Sequence, residues 1–289
     1  MYLPDFEYFA PASVAEACQL LAQNVDRAKV LSGGSDLIPK MKHSLLSPEI
    51  IVSIKKIPGM RRIEYVPGKG TVIGATSTHN DVVFSEVMQE KYLSVSNAAQ
   101  TMAANQIRHS GTVGGNIVSA VPSADMPPIL IALNASVTIA GPNGERTLPL
   151  EDVFTGPGKT VLAKDEILTE VIIPDQEMTG STYFKFALRK AGALAVVGVA
   201  AAVQVENGII KDARVALGAV APVPMRAKKT EEFLKGKKIS DELLEEAGAI
   251  ASTECKPITD FRASEEYRRD LVRIYTKRAL RKAIDNGHV

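Results

Sequence analysis

Val30-Leu31-Ser32-Gly33-Gly34-Ser35-Asp36-Leu37, opening the run VLSGGSDLIPKMK (30–42), decides how this chain folds. A short apolar segment, AKVL (28–31), fits a buried strand and runs straight into two glycines flanked by serines. The residues that follow, DLIPKMK, read as a helical turn, which would leave the loop N–H groups pointing outward at a helix start. IIVSI (50–54) is a second strand candidate. Strand, loop, helix and strand in this order form a small parallel unit with an anion loop at the strand's carboxyl end. A second glycine pair, Gly114-Gly115 in QIRHSGTVGGNIVSA (106–120), lies about eighty residues later, between Thr112 and Asn116. Each pair reads as a short polar loop. Glycine lets backbone approach a ligand and present successive N–H groups. The two loops together predict a diphosphate held from two sides without Lys or Arg.

Outward from these loops, SVAEACQLLAQN (13–24) reads as a helix capped by Ser13, with Glu16 completing a capping box. TVIGATS (71–77) is a strand, and Thr78 caps a helix running to about Ser85. KYLSVSNAAQTMAA (91–104) reads as one helix, and residues 126–134 as another that starts with Pro127 and Pro128. The composition changes near Pro174-Asp175. Beyond it YFKFALR alternates, ALAVVGVAAAVQV (193–205) is a long apolar strand, and Asn207-Gly208 signals a type I′ hairpin. Three helices are expected at roughly 227–235, 240–253 and 264–284; the last carries Tyr267, Leu271, Ile274 and Tyr275 on its apolar side.

Composition narrows the function. Of 289 residues 45% are hydrophobic and 23% charged, as in an ordinary globular chain with a sizeable core. A net charge of +1, with no Trp and 5% aromatics, argues against nucleic acid and against an anionic membrane. No uncharged apolar run reaches the ~18 residues of a membrane span, and the N-terminus lacks the regions of a signal peptide. Cys18 and Cys255 cannot by themselves hold zinc or an iron–sulfur cluster, and read as free thiols in a reducing compartment. The chain is therefore expected to be cytoplasmic.

No side-chain chemistry announces itself. The first loop is neither a G-x-G-x-x-G nor a Walker loop, and a G-x-S-x-G elbow is absent. His43, His79, His109 and His288 are scattered, and His79 with Asp81 reads as a solvated pair. Arg268, Arg269, Arg278 and Arg281 read as a solvated basic face. Neither a catalytic side chain nor a metal site is expected, so a bound cofactor would carry any chemistry.

At these loops the chain resembles the FAD-binding (medium) subunits of the molybdenum hydroxylases, the group containing carbon monoxide dehydrogenase and xanthine dehydrogenase. The resemblance covers nearly the whole chain, through FEYFAPASVAEACQLL, LSGGSDLIPKMK, QIRHSGTVGGNI, SADMPPILIALNA, DEILTEVIIP and EEYRRDLVRIYTKRAL. It implies that Val30, Leu31, Ser32, Gly33, Gly34, Ser35, Asp36 and Leu37 wrap the FAD pyrophosphate and adenosine side. Thr112, Gly114, Gly115 and Asn116 match the second diphosphate loop. Ser123 and Asp125 match a small-x-Asp element whose Asp bonds sugar or ribityl hydroxyls. Met102 and Ile107 match positions near the adenine, and Ile167 and Leu168 match apolar contacts to the nucleotide or flavin. Lys185 matches a lysine that approaches the isoalloxazine. The chain departs from the pattern at Ala193-Leu194, where some members place an aromatic or acidic group, and it has no cysteine-rich insertion.

The implied fold is α+β: a PCMH-type FAD-binding domain of two α/β subdomains (about 1–55 and 56–176), then a C-terminal domain (177–289) with a three-stranded antiparallel sheet and a helical bundle. The implied function is electron transfer. A small subunit with 2Fe-2S clusters would pass electrons to FAD on this chain and from there to an external acceptor, while a large subunit with the molybdenum cofactor hydroxylates substrate. A heterotrimer is the expected assembly. The two rival readings are a self-contained PCMH-type FAD oxidase and a non-catalytic scaffold that has lost FAD. The first is disfavoured by the chain's length and few aromatics, the second by the intact glycine loops.

Overall fold

The computed structural model describes residues 2–287; His288 lies outside them. The first unit runs β1 (Glu7–Phe9), α1 (Val14–Gln23), β2 (Ala28–Leu31), α2 (Leu37–Lys42) and β3 (Ile50–Ser53). Its three strands are all parallel, in the order β1-β3-β2. The central strand β3 is buried along its whole length. Helix α1 starts as the sequence dictates: Ser13 Oγ accepts from the Glu16 amide at 3.1 Å. The expected capping box is not closed: the Glu16 carboxylate reaches past the Ser13 cap to the Ala12 amide, at 2.8 Å. Strand β2 lies at the sheet edge and delivers the first glycine loop from its carboxyl end.

The second unit begins with β4 (Ile63–Val66) and β5 (Gly70–Gly74). A run of short helices follows: α3 (His79–Phe84), α4 (Glu86–Lys91), α5 (Leu93–Gln100), α6 (Asn105–Arg108), α7 (Val113–Val118) and α8 (Met126–Ala132). It closes with β6 (Ser136–Gly141), β7 (Gly144–Pro149), the small β8 (Phe154–Gly156) and β9 (Lys159–Thr160) hairpin, and β10 (Ile167–Ile173). Five of these strands form an antiparallel sheet in the order β4-β5-β10-β6-β7. Thr78 and Asp81 cap α3 reciprocally. The single helix expected over 91–104 is instead split. Tyr92 leaves the helical region (φ −141°, ψ 56°) and separates α4 from α5, and Ala103 at φ +40° turns the chain after α5.

The C-terminal part is an antiparallel sheet of β11 (Gly180–Phe186), β12 (Val197–Glu206) and β13 (Ile209–Gly218), with the two-residue β14 (Met225–Arg226) added at its edge. Asn207 at φ +52° and Gly208 at φ +75° make the β12–β13 turn that the sequence signals. Helices α9 (Lys228–Leu234), α10 (Asp241–Glu254) and α11 (Glu265–Asn286) cover one face. Strand β12 is buried on both faces. Val197, Val199, Ala201 and Val203 join the core under the helices, while Ala200 and Ala202 join the core of the first two units. That two-sided burial is why its sequence is one unbroken apolar run.

The basic face expected on α11 is partly wrong. Arg268 is fully buried: its guanidinium holds Asp260 at 2.7 Å and donates to the carbonyls of Val196 at 2.7 Å and Ala219 at 3.2 Å. Residues 268, 271, 272 and 276 share one helical face, and that face is buried, whereas Tyr267 (47% exposed) and Ile274 (36%) reach the surface.

Candidate functional site

The first loop reaches the site through β2. Gly34 sits at φ +83°, a backbone conformation that side-chain-bearing residues rarely adopt. Gly33 lies against the neighbouring segment: a Cβ there would come within 2.2 Å of the Ser110 carbonyl oxygen. Among the described residues, none of the backbone N–H groups of Ser32 through Leu37 has an acceptor within the chain. These six consecutive amides end at the start of α2, the arrangement that binds an anion. Their surroundings are fixed by two side-chain bridges. Ser32 Oγ lies 2.9 Å from Thr112 Oγ1, and Ser119 Oγ donates to the Asp36 carboxylate at 2.6 Å.

The second glycine pair is not a loop. Gly114 and Gly115 form the first turn of α7, capped by Thr112, whose hydroxyl accepts from the Gly115 amide at 3.1 Å. The Val113 and Gly114 amides donate to the carbonyls of Ser77 and Ala75, each at 2.9 Å. A Cβ on Gly114 would meet Ala75 at 2.7 Å. The pair is therefore needed for helix-to-strand packing, and its N–H groups are spent inside the fold. What this segment offers a ligand is the Thr112 hydroxyl and the Asn116 amide, whose Oδ1 is buried without a partner.

A two-lobed cleft opens around these segments. One lobe has apolar walls from Val30, Leu37, Ile54, Leu162, Ile167 and Leu168. The other is lined by Met102, Ile107, Asn116, Ser123, Asp125 and Leu194. Ser35, Asp36, Thr112 and Ser119 belong to both. Of the predicted first-loop residues only Leu31 is outside the lining, with its side chain against Gly34. Met102 and Ile107, matched by resemblance to the adenine end, share a lobe with Asp125, at the opposite end from Ile167 and Leu168.

Asp125 is the centre of a buried polar cluster. Tyr183 donates its hydroxyl to one carboxylate oxygen at 2.8 Å, and Lys185 Nζ holds the other at 2.8 Å. Lys185 Nζ also donates to the Thr101 carbonyl at 3.2 Å. The Lys185 and Asp125 side chains are only 8% and 6% exposed, so Lys185 enters the site as half of an ion pair. Burial pushes the Asp125 pKa up, against the opposing pull of Lys185 and Tyr183. Burial, then the Asp125 charge, raises the Tyr183 phenol well above its ordinary range. Lys185 itself lines neither lobe of the cleft; it borders a separate surface hollow with Thr101, Arg189 and Lys190. Tyr183 was not singled out from the sequence, although its place two residues from Lys185 on β11 puts both on one face.

His79 and Asp81 are not a solvated pair. Asp81 binds Arg61 at 2.9 Å through both oxygens and accepts from the Thr78 amide at 2.8 Å. His79 is 1% exposed and lines the second lobe. Burial, with Arg108 nearby, brings its pKa down to about 4. Among the described residues no group of three or more His, Cys, Asp or Glu side chains could hold a metal ion, and no helix is long and apolar enough to cross a membrane.

Comparison with known proteins identifies this arrangement. Residues 4–176 match the family described as the FAD binding domain in molybdopterin dehydrogenase, and residues 182–283 match the CO dehydrogenase flavoprotein C-terminal domain. The chain is 36% identical to the carbon monoxide dehydrogenase medium chain of Hydrogenophaga pseudoflava, covering 98% of both. It is 34% identical to the glyceraldehyde dehydrogenase medium chain of Sulfolobus acidocaldarius, over 97% of this chain and 99% of the relative. The solved carbon monoxide dehydrogenase from Hydrogenophaga pseudoflava, in a form lacking the Mo-pyranopterin moiety of the molybdenum cofactor, contains a chain that superposes with a TM-score of 0.95. That match has 36% identity and covers 99% of each chain. The chain belongs to the FAD-binding medium subunits of the molybdenum hydroxylases, and it is the flavoprotein component of an oxidoreductase.

Proposed function

We propose that this chain holds FAD extended along the two-lobed cleft and relays electrons inside a multi-subunit molybdenum hydroxylase. The residues fit the cofactor. The apolar lobe of Val30, Ile54, Ile167 and Leu168 suits the adenosine end. The run of free amides from Ser32 to Leu37 suits the diphosphate, aided by the Thr112 hydroxyl, and the unpartnered Asn116 Oδ1 suits a hydroxyl donor of the cofactor. The second lobe, with Met102, Ile107, Ser123 and Asp125, then takes the ribityl chain and ring, which reverses the end matched to Met102 and Ile107 by resemblance. The observation that carries this reading is the six-amide run at the meeting point of the lobes.

When bound, FAD supplies a site that takes up an electron pair and releases it to an acceptor. The protein's part is to orient that group and exclude water from it. Asp125 has one acceptor position left on each oxygen after Tyr183 and Lys185, enough to receive hydroxyl donors. Lys185, neutralised by Asp125, presents a smaller charge to the ring than a lone ammonium would.

Electrons are proposed to arrive from a small subunit carrying 2Fe-2S clusters and to leave to an external acceptor. Substrate conversion falls to a large subunit with the molybdenum cofactor. Relatives called medium chains serve enzymes named for substrates as different as carbon monoxide and glyceraldehyde, which supports placing substrate choice off this chain. Two buried free thiols, Cys18 and Cys255, fit a cytoplasmic setting.

The test is to isolate the chain with its partners, record its visible spectrum and identify the flavin released on denaturation. Stoichiometric, non-covalent FAD supports the reading, and a colourless complex overturns it.

A further inference from the structure

One side chain in the cleft wall is unexplained by this arrangement. His79 is the first residue of α3, and its backbone amide is satisfied by the Gly111 carbonyl at 3.0 Å. Its imidazole is not satisfied. Nδ1 is enclosed with no hydrogen-bond partner, and Nε2 bonds to no other group of the described chain and is not enclosed. Burying an imidazole with neither nitrogen paired is costly for a fold to retain. The ring's position gives the reason. A Cβ placed on Gly111 would lie 3.3 Å from His79 Cδ2 and 3.4 Å from Ser35 Oγ. The Cδ2–Nε2 edge of the ring and the first glycine loop thus face each other across a residue that has no side chain. Ser35 belongs to the run of six free amides.

We propose that His79 is a cofactor-positioning residue, donating Nε2–H to the anionic diphosphate that lies over the Ser32–Leu37 amides. This rests on the FAD reading above. The enclosed Nδ1 then carries the lone pair, which places it favourably toward the field of Arg108. Nε2 carries the single proton of a neutral ring. A neutral donor aimed at a diphosphate complements the amide run, which likewise holds an anion without a formal cation.

The test uses the full chain in its complex, stripped of flavin and titrated with FAD and, separately, with ADP-ribose, which has the diphosphate but no flavin ring. His79→Leu fills the same space without a donor. His79→Gln places an amide N–H close to the position of Nε2. The Leu variant is expected to weaken both ligands by about tenfold to a hundredfold, the worth of a hydrogen bond to a charged group. Its ligand-free melting temperature should be unchanged or higher, because an unpaired polar ring has been removed. The Gln variant should recover most of the affinity. If Leu binds both ligands as tightly as the wild type, or lowers the melting temperature alone, the ring only fills space and the proposal fails. If FAD is weakened but ADP-ribose is not, the contact lies on the flavin side and the diphosphate assignment fails. If the wild-type protein binds neither ligand, the FAD reading itself falls.

Discussion

Asp125 shows how much one residue can hold in this protein. Its two oxygens bind a tyrosine from the middle of β11 and a lysine two residues on, so a carboxylate from the second unit anchors the C-terminal sheet. Asp125→Asn should cost about 3–5 kcal/mol, because Lys185 is left buried without its partner. Urea unfolding of the variant against wild type measures this. His79 contributes a different signature. Burial lowers its pKa from 6.5 to about 4, so the unfolded chain takes up a proton at a pH where the native chain does not. Native stability should therefore be full above pH 6.5 and fall as pH drops toward 4, by about 3 kcal/mol in all. His79→Gln should flatten that slope in a pH series of denaturation midpoints. Neither role was visible in the sequence. Ser123 and Asp125 were legible as a polar element, but Tyr183 and Lys185 lie about sixty residues away, and only the sheet brings them together.

Elements were read well wherever local chemistry decides them. Ser13 starts α1, Thr78 starts α3 and Asn207-Gly208 turns β12 into β13, since caps and left-handed turns depend on adjacent residues. Helix α7 escaped because two glycines in six residues carry poor helix propensity. It forms because the Ser77 and Ala75 carbonyls take its first amides and Ala75 leaves no room for a side chain at 114. Arg268 escaped for the opposite reason. Its charge argued for the surface, while its spacing to Leu271, Val272 and Thr276 placed it on the buried face. Asp260→Asn is expected to cost roughly 3–5 kcal/mol by stranding that guanidinium, read as a fall in denaturation midpoint. Arg262, hydrogen-bonded to Asp260 beside Arg268, holds the Asp260 carboxyl well below its ordinary range. Its contribution is accordingly present above about pH 4 and lost as the medium becomes more acidic, and the Asn variant should lack this dependence.

At the scale of the molecule, the cleft is walled by both FAD-side units, with Gly192, Ala193 and Leu194 reaching it from the C-terminal part. FAD binding should accordingly stabilise the chain as a whole: free FAD at a hundred times its Kd should raise unfolding stability by about 2.7 kcal/mol. Calorimetry with and without the flavin checks this, and a rise confined to one of two separate transitions would show that the parts do not share the site. Strand β12 carries a consequence of its own. Its odd positions, Val197, Val199, Ala201 and Val203, face one core, three of them with valine, while Ala200 and Ala202 meet the other core with small side chains and Gly198 lies against the Tyr183 ring. Saturation mutagenesis over 197–203 should yield a tolerance map that alternates, with enlargement punished at Gly198, Ala200 and Ala202 and truncation at Val197, Val199 and Val203. The seven residues from 197 to 203 would thus record, as a rhythm of permitted sizes broken only at Ala201, the history of two bodies that can diverge in sequence only by keeping step along a single shared strand.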